Sequence, residues 1–334
     1  MRGDGTLAGT ASLAVALAGR YAAGRRQADR QTTAELQSRL TDLGELERLS
    51  ILPLVERHTA RETLRGEAGV SYLIRTDGLT LLFDSGLGLG RGRTALETNA
   101  EDLHVRFDDL DCLVISHLHA DHVGGATSQL RYTFSLGVEQ PVPRGLATFV
   151  PTDMSHRHAD VSVVQEARVI GPGVAALSLP RMLFWLGPIA EQALGVNVRG
   201  RGLVLVTGCG HPQIERMLAA AERVVEAPVY AVIGGLHLPV HATGTPLVPQ
   251  AVLGSPNWPW RPISEGDAYH DRGDPATRAG AGRAVGPRQH AMDAGRVRSG
   301  LRRSLPEPTG RRGAGDHRYR LDRGTVLWRR SGRA

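Results

Sequence analysis

The chain has 334 residues, 41% of them hydrophobic, with two cysteines and a formal net charge of +6. That length suffices for one large domain with extensions, and two cysteines exclude a disulfide-built scaffold. All 40 basic residues are arginine, and seventeen of them face eight acidic residues between Arg261 and Ala334, so a mildly acidic body precedes a strongly basic tail. A basic tail suggests a nucleic-acid arm only where aromatic residues interleave or a binding module is recognisable. This tail has almost no such interleaving and no such module, so no nucleic-acid partner is expected.

In chain order, Leu7 to Ala18 is a small-residue apolar run of about a dozen residues, shorter than the ~20 that span a bilayer. It reads as an Ala-rich helical extension in a cytoplasmic protein, with a membrane-proximal anchor as the rival reading. Thr33 to Leu49 predicts a polar helix, which makes residues 1–48 an N-terminal extension. A domain over 49–264 opens with the strand Leu49 to Val55. Val70 to Gly86 predicts two strands joined by a turn at Asp77-Gly78, a strong hairpin dipeptide. Cys112 to Ile115 is a short apolar run that predicts a buried strand.

Directly after it comes Ser116-His117-Leu118-His119-Ala120-Asp121-His122-Val123-Gly124-Gly125. A strand has period two, so His117 and His119 can project to the same side. Asp121 and His122 follow where the chain turns and can face a second point a few ångströms away. Imidazole and carboxylate suit zinc, and also iron or manganese. Two metals about 3.5–4 Å apart can clamp a hydrolytic displacement.

Further along, Gly202 to Pro212 reads as a buried strand breaking into the turn Thr207-Gly208-Cys209-Gly210-His211. An amphipathic helix follows over Gln213 to Val225, its apolar residues recurring at helical spacing. Val229 to Leu238 is a second strand ending in Gly234-Gly235-Leu236-His237. His211 and His237 thus sit at strand C-terminal ends, the favoured place for a site in a layered α/β protein. His156 is a weaker candidate for a ligand or substrate contact. From Glu265 the periodicity stops, and the Arg/Gly/Pro-rich stretch 265–334 cannot bury enough apolar surface to order itself. The abrupt change near Gly266 suggests a shifted reading frame in the gene.

The His-x-His-x-Asp-His run resembles the signature of the metallo-β-lactamase superfamily, and Phe83-Asp84-Ser85-Gly86 resembles its Asp-Ser-Gly element. The Thr207–His211 and Gly234–Leu238 stretches resemble the subgroup of dihydropterin-linked synthases and related metal-dependent hydrolases, over roughly Leu49 to Pro262. The resemblance implies a four-layer αβ/βα sandwich and a hydrolase with two zinc ions. His117, His119 and His211 would hold one metal, and Asp121, His122 and His237 the other, with Asp84 beside them. Metal-bound hydroxide would attack an ester, lactone or phosphoester of a small molecule, and Asp121 would carry a proton. Cys209 stands where many members have a bridging aspartate. It reads either as a ligand or, the preferred reading, as a small buried residue. A pterin-pathway transferase and a non-catalytic metal-binding relative are the alternatives on the same fold.

Overall fold

Three runs of alternating or continuous apolar residues open a six-stranded sheet in a computed structural model of the chain. The structure describes residues 39–234 except His58, Ala60, Gly90, Arg91, Gln140, Trp185 and Leu186, with scattered residues between Ser12 and Arg30 and the pair Trp328–Arg329. Strands β1 (Leu49–Val55), β2 (Ser71–Thr76) and β3 (Thr80–Phe83) pair antiparallel. The Asp77-Gly78 turn joins β2 to β3 where the dipeptide predicts it, and the Asp77 carboxylate accepts from the Glu47 and Arg48 backbone N–H groups. Strands β4 (Cys112–Val114), β5 (Leu146–Val150) and β6 (Ala159–Val163) continue the sheet in parallel, in the order β1-β2-β3-β4-β5-β6.

The second sheet takes β7 (Arg168–Gly171) and β8 (Val174–Ser178); β9 (Met182–Phe184) and β10 (Gly187–Ile189) form a separate hairpin. Strands β11 (Gln192–Val198), β12 (Gly202–Thr207), β13 (Val229–Gly234) and β14 (Trp328–Arg329) complete the second sheet, in the order β14-β13-β12-β11-β8-β7. Strands β12 and β13 run parallel and are linked by a helix over Ile214–Val224, one residue inside the predicted span at each end. Within residues 39–234, helices α1 (Ala95–Asp102) and α2 (Ala126–Leu130) come before this one, α3. Helix α1 starts at a capping box: the Glu97 N–H donates to Thr94 Oγ1, and the Thr94 N–H donates back to the Glu97 carboxylate.

Period-two alternation sorts the apolar side chains into layers. Leu73, Leu82 and Leu113 face outward into a cluster with Leu96 and Ala100 of α1. Tyr72, Ile74, Leu81, Phe83 and Val114 face inward and meet Leu194, Val196, Val204 and Val206 of the second sheet. Leu203 and Leu205 point to the far side, where Met217, Ala221 and Val224 of α3 cover them. Helix, sheet, sheet, helix is the αβ/βα order. It also explains why the central strands lack polar alternation, since strands buried on both faces read as continuous apolar runs.

One expected element is different. Residues 39–48 form no helix: Leu46 makes a bridge to Val198 and the Leu40 N–H donates to Val224 O. Gly44 adopts a left-handed φ of 69°, and Leu43 and Leu46 are buried in two different clusters, which no single helical face could serve. The remainder of that predicted helix, Thr33 to Ser38, lies outside the described residues. So does the tail 265–334, apart from Trp328–Arg329. No helix among the described residues is long and apolar enough to cross a membrane.

Candidate metal centre

Both sheets send chain ends to the same place. Strand β4 runs out through Ile115 and Ser116 to His117, and His117 forms an isolated antiparallel bridge with Glu191, which precedes β11. The Gln192 N–H donates to Ser116 O, and Gln192 Nε2 donates to Ile115 O and Phe149 O. The first sheet's strand ends are therefore stitched to the start of a second-sheet strand. From there the loop turns back through His122 N–H to His119 O and Gly125 N–H to Ala120 O.

That turn brings His117 and His119 to one side, as their spacing predicts. Nε2 of His117 is 3.1 Å from Nδ1 of His119, and 3.3 Å from Nε2 of His211, which arrives after β12. One ring nitrogen from each of the three histidines lies within 4.8 Å of those of the other two. Nitrogens each 2.0–2.1 Å from a tetrahedral zinc stand about 3.3 Å apart. The spacing is one that a metal held by His117, His119 and His211 would accept, with His117 and His211 buried and His119 half-buried.

His122 faces a second point. Its Nε2 is 3.2 Å from Sγ of Cys209 and 3.5 Å from Oδ2 of Asp121, and its ring centroid is 4.1 Å from that of His117. His117, His122 and Cys209 form a second group of possible ligands. Cys209 is buried with its sulfur facing His122, where it could serve as a ligand; neither cysteine forms a disulfide. His237 lies outside the described residues. His156 belongs to neither group: its ring stacks on Phe134 with centroids 4.8 Å apart.

Asp84 decides which nitrogens face the centre. It is fully buried at a left-handed φ of 59°, and its carboxylate accepts from the Ser116 N–H and Oγ–H, each at 2.6 Å, and from His122 Nδ1 at 2.7 Å. The carboxylate thereby holds a proton on Nδ1 of His122, so that Nε2 is the nitrogen turned toward Cys209 and Asp121. Having given its one proton to Asp84, Ser116 Oγ accepts from His117 Nδ1 at 2.9 Å, so His117 also turns its Nε2 inward.

Burial and proximity set the charges. Burial opposes the imidazolium of His122, yet the Cys209 sulfur in its thiolate form and the carboxylates of Asp84 and Asp121 push it well above its ordinary value. Burial, with His122 alongside, pulls His117 well below. Burial also works against the Asp121 anion, but His122 holds that carboxyl below the usual range. Burial lifts Asp84, against the opposing pull of His122.

Sequence reasoning missed Glu191. Its buried side chain accepts from the backbone N–H groups of Gly210 and His211, both at 2.8 Å, inside the Thr207–His211 turn. Burial raises its pKa while His211 and the two amides lower it. The only trace in the sequence is a polar pair, Glu191-Gln192, opening an apolar strand. The turn needs its glycines: Gly210 has φ 67°, and a Cβ on Gly208 would lie 2.3 Å from Ser116 Oγ and 3.0 Å from His117 Nδ1.

Residues 64–131, from before the first hairpin to just past the His117–His122 loop, match the sequence profile described as the metallo-beta-lactamase superfamily. The superfamily likeness carried by the motif is thus matched at that segment, and the helix–sheet–sheet–helix layering is the αβ/βα order that the resemblance implies. Among solved structures, the chain is similar to Tm1679, described as a metal-dependent hydrolase of the β-lactamase superfamily, at 22% identity and a TM-score of 0.42, over 60% of this chain and 79% of that one. It is similar to a quorum-quenching N-acyl homoserine lactone lactonase at 15% identity and a TM-score of 0.32, over 54% and 85%. A metallo-β-lactamase fold protein, YhfI from Bacillus subtilis, follows at 18% identity and a TM-score of 0.31, over 48% and 60%. No curated protein matches the chain.

Proposed function

We propose that the protein is a metal-dependent hydrolase of an ester, lactone or phosphoester carried by a small molecule. The observation that carries this reading is the convergence of His117, His119 and His211, from two sheets, with their nitrogens 3.1 and 3.3 Å apart. These three would hold one metal. His122 and Asp121 would hold a second, with Cys209 facing the same point and His237 the remaining candidate. Zinc suits this mixture of imidazole, carboxylate and thiol, and iron or manganese suits its nitrogen and oxygen donors.

When bound, such metals lower the pKa of water toward ~7 and polarise a carbonyl or phosphoryl oxygen. The chain's own groups supply the rest. Asp84 and Ser116 fix the tautomers of His122 and His117, so ligand nitrogens face the centre without reorganisation. Asp121 is the more exposed carboxylate beside His122, and it can take up a proton and return it to a leaving group.

Metal analysis of the purified full-length chain, paired with a panel of esters, lactones and phosphodiesters, tests the reading. The expected result is bound zinc or another transition metal, with turnover of one substrate class that a chelator abolishes. Metal without hydrolysis of any panel member would favour the non-catalytic relative. Group transfer in place of hydrolysis would favour the pterin-linked transferase. Absence of any bound metal would refute all three.

A further inference from the structure

Among the residues that join the two sheets at the proposed metal centre, Glu191 is the one whose main chain and side chain do different things. The main chain of Glu191 bridges His117, the first ligand of the first sheet. Its carboxylate reaches into the second sheet's turn: Oε1 accepts from the Gly210 N–H and Oε2 from the His211 N–H, each at 2.8 Å, with the Thr207 hydroxyl 3.4 Å from Oε1. The residue is 2% exposed, and its own carbonyl accepts from the Leu179 N–H, which pins the strand start. A buried carboxylate is costly unless hydrogen bonds satisfy it, and here two backbone amides of the turn do so.

We infer that Glu191 is a positioning residue for the metal centre, holding the Thr207–His211 turn so that Cys209 and His211 meet the ligands of the first sheet. This rests on the metal-centre reading above and adds the part that sets the distance between its two halves. The next residue works in the same direction, since the Gln192 side chain ties Ile115 and Phe149 of the first sheet to the same strand start. Two backbone N–H groups that would otherwise lie buried without an acceptor become the handle by which the turn is held. No contact between Glu191 and a metal is needed, as groups that orient ligands act through them.

Glu191→Gln tests the inference while preserving size. Its amide can accept at only one oxygen, and its NH2 would confront the other backbone N–H. In the full-length protein, zinc affinity measured by chelator competition should fall ten- to hundred-fold with far-ultraviolet dichroism unchanged. The cobalt(II)-loaded variant should lose the intense visible absorption of a tetrahedral set. Amide exchange on the wild type, stripped of metal, provides a readout that needs no variant. The Gly210 and His211 amides should remain protected, because their acceptor is present without metal. Wild-type zinc affinity and cobalt spectrum in Glu191→Gln, or rapid exchange of both amides in the stripped protein, would overturn the inference alone. A wild type that binds neither zinc nor cobalt would overturn the metal-centre reading with it.

Discussion

The two halves of the proposed centre are held in opposite ways. On the first sheet, Asp84 controls side chains: from the end of β3 its carboxylate holds His122 directly and His117 through Ser116, both just past β4. On the second sheet, Glu191 controls backbone: it grips two amides of a turn and leaves the side chains of Cys209 and His211 to follow. The lesson is that ligand orientation and ligand delivery are separable tasks. A tautomer needs a partner on the ring, whereas a loop needs a partner on its amides.

Breaking the orientation device should have the largest effect. Asp84→Asn offers an amide NH2 where His122 Nδ1–H needs an acceptor, so the imidazole should move its proton to Nε2 and lose its ligand lone pair. Zinc affinity by chelator competition should fall about ten- to hundred-fold, and histidine NMR should show the changed tautomer. Retained affinity with an unchanged tautomer would mean that Asp84 is only a core polar residue.

A smaller effect should follow from crowding the junction of the two halves. Gly208→Ala places a Cβ 2.3 Å from Ser116 Oγ and 2.9 Å from Ser116 Cβ. Overpacking of this kind costs about 1–3 kcal/mol, and chemical denaturation should report a loss in that range together with a weakened cobalt spectrum. An unchanged midpoint would show that the turn and the Ser116 segment can separate freely.

The smallest effect belongs to a control at the β2–β3 turn. The Asp77 carboxyl lies below its ordinary value of 3.8, chiefly through its hydrogen bond with the Arg48 side chain. A carboxylate with a depressed folded-state pKa adds stability above its unfolded value, and that increment fades as pH falls through the folded value. Asp77→Asn should therefore lower the thermal midpoint slightly at neutral pH. The gap to the wild type should close in acid below 3.8, with metal affinity untouched throughout. A gap that widened in acid would reverse the assignment.

Local patterns were legible, and distant partnerships were not. The hairpin at Asp77-Gly78, the strand before Ser116 and helix α3 follow from periodicity and turn chemistry, because neighbours in sequence decide them. Residues 39–48 show the limit: Leu40, Leu43, Leu46 and Leu49 recur every third position, a helical spacing, yet Leu43 and Leu46 pack in separate clusters. The His117–His122 loop announces itself because four ligand-type residues crowd six positions. Glu191 gives no such signal, since its partners lie 19 and 20 residues later and are backbone amides, which every residue carries.

The claim on which the rest depends is that both sheets build one centre. Metal content of His211→Ala, measured beside the wild type at matched protein concentration and free zinc, tests it most directly, since that residue belongs to the second sheet alone. The account predicts that the variant loses the metal shared with His117 and His119 while its strand content is preserved. Full wild-type metal content in His211→Ala would contradict it.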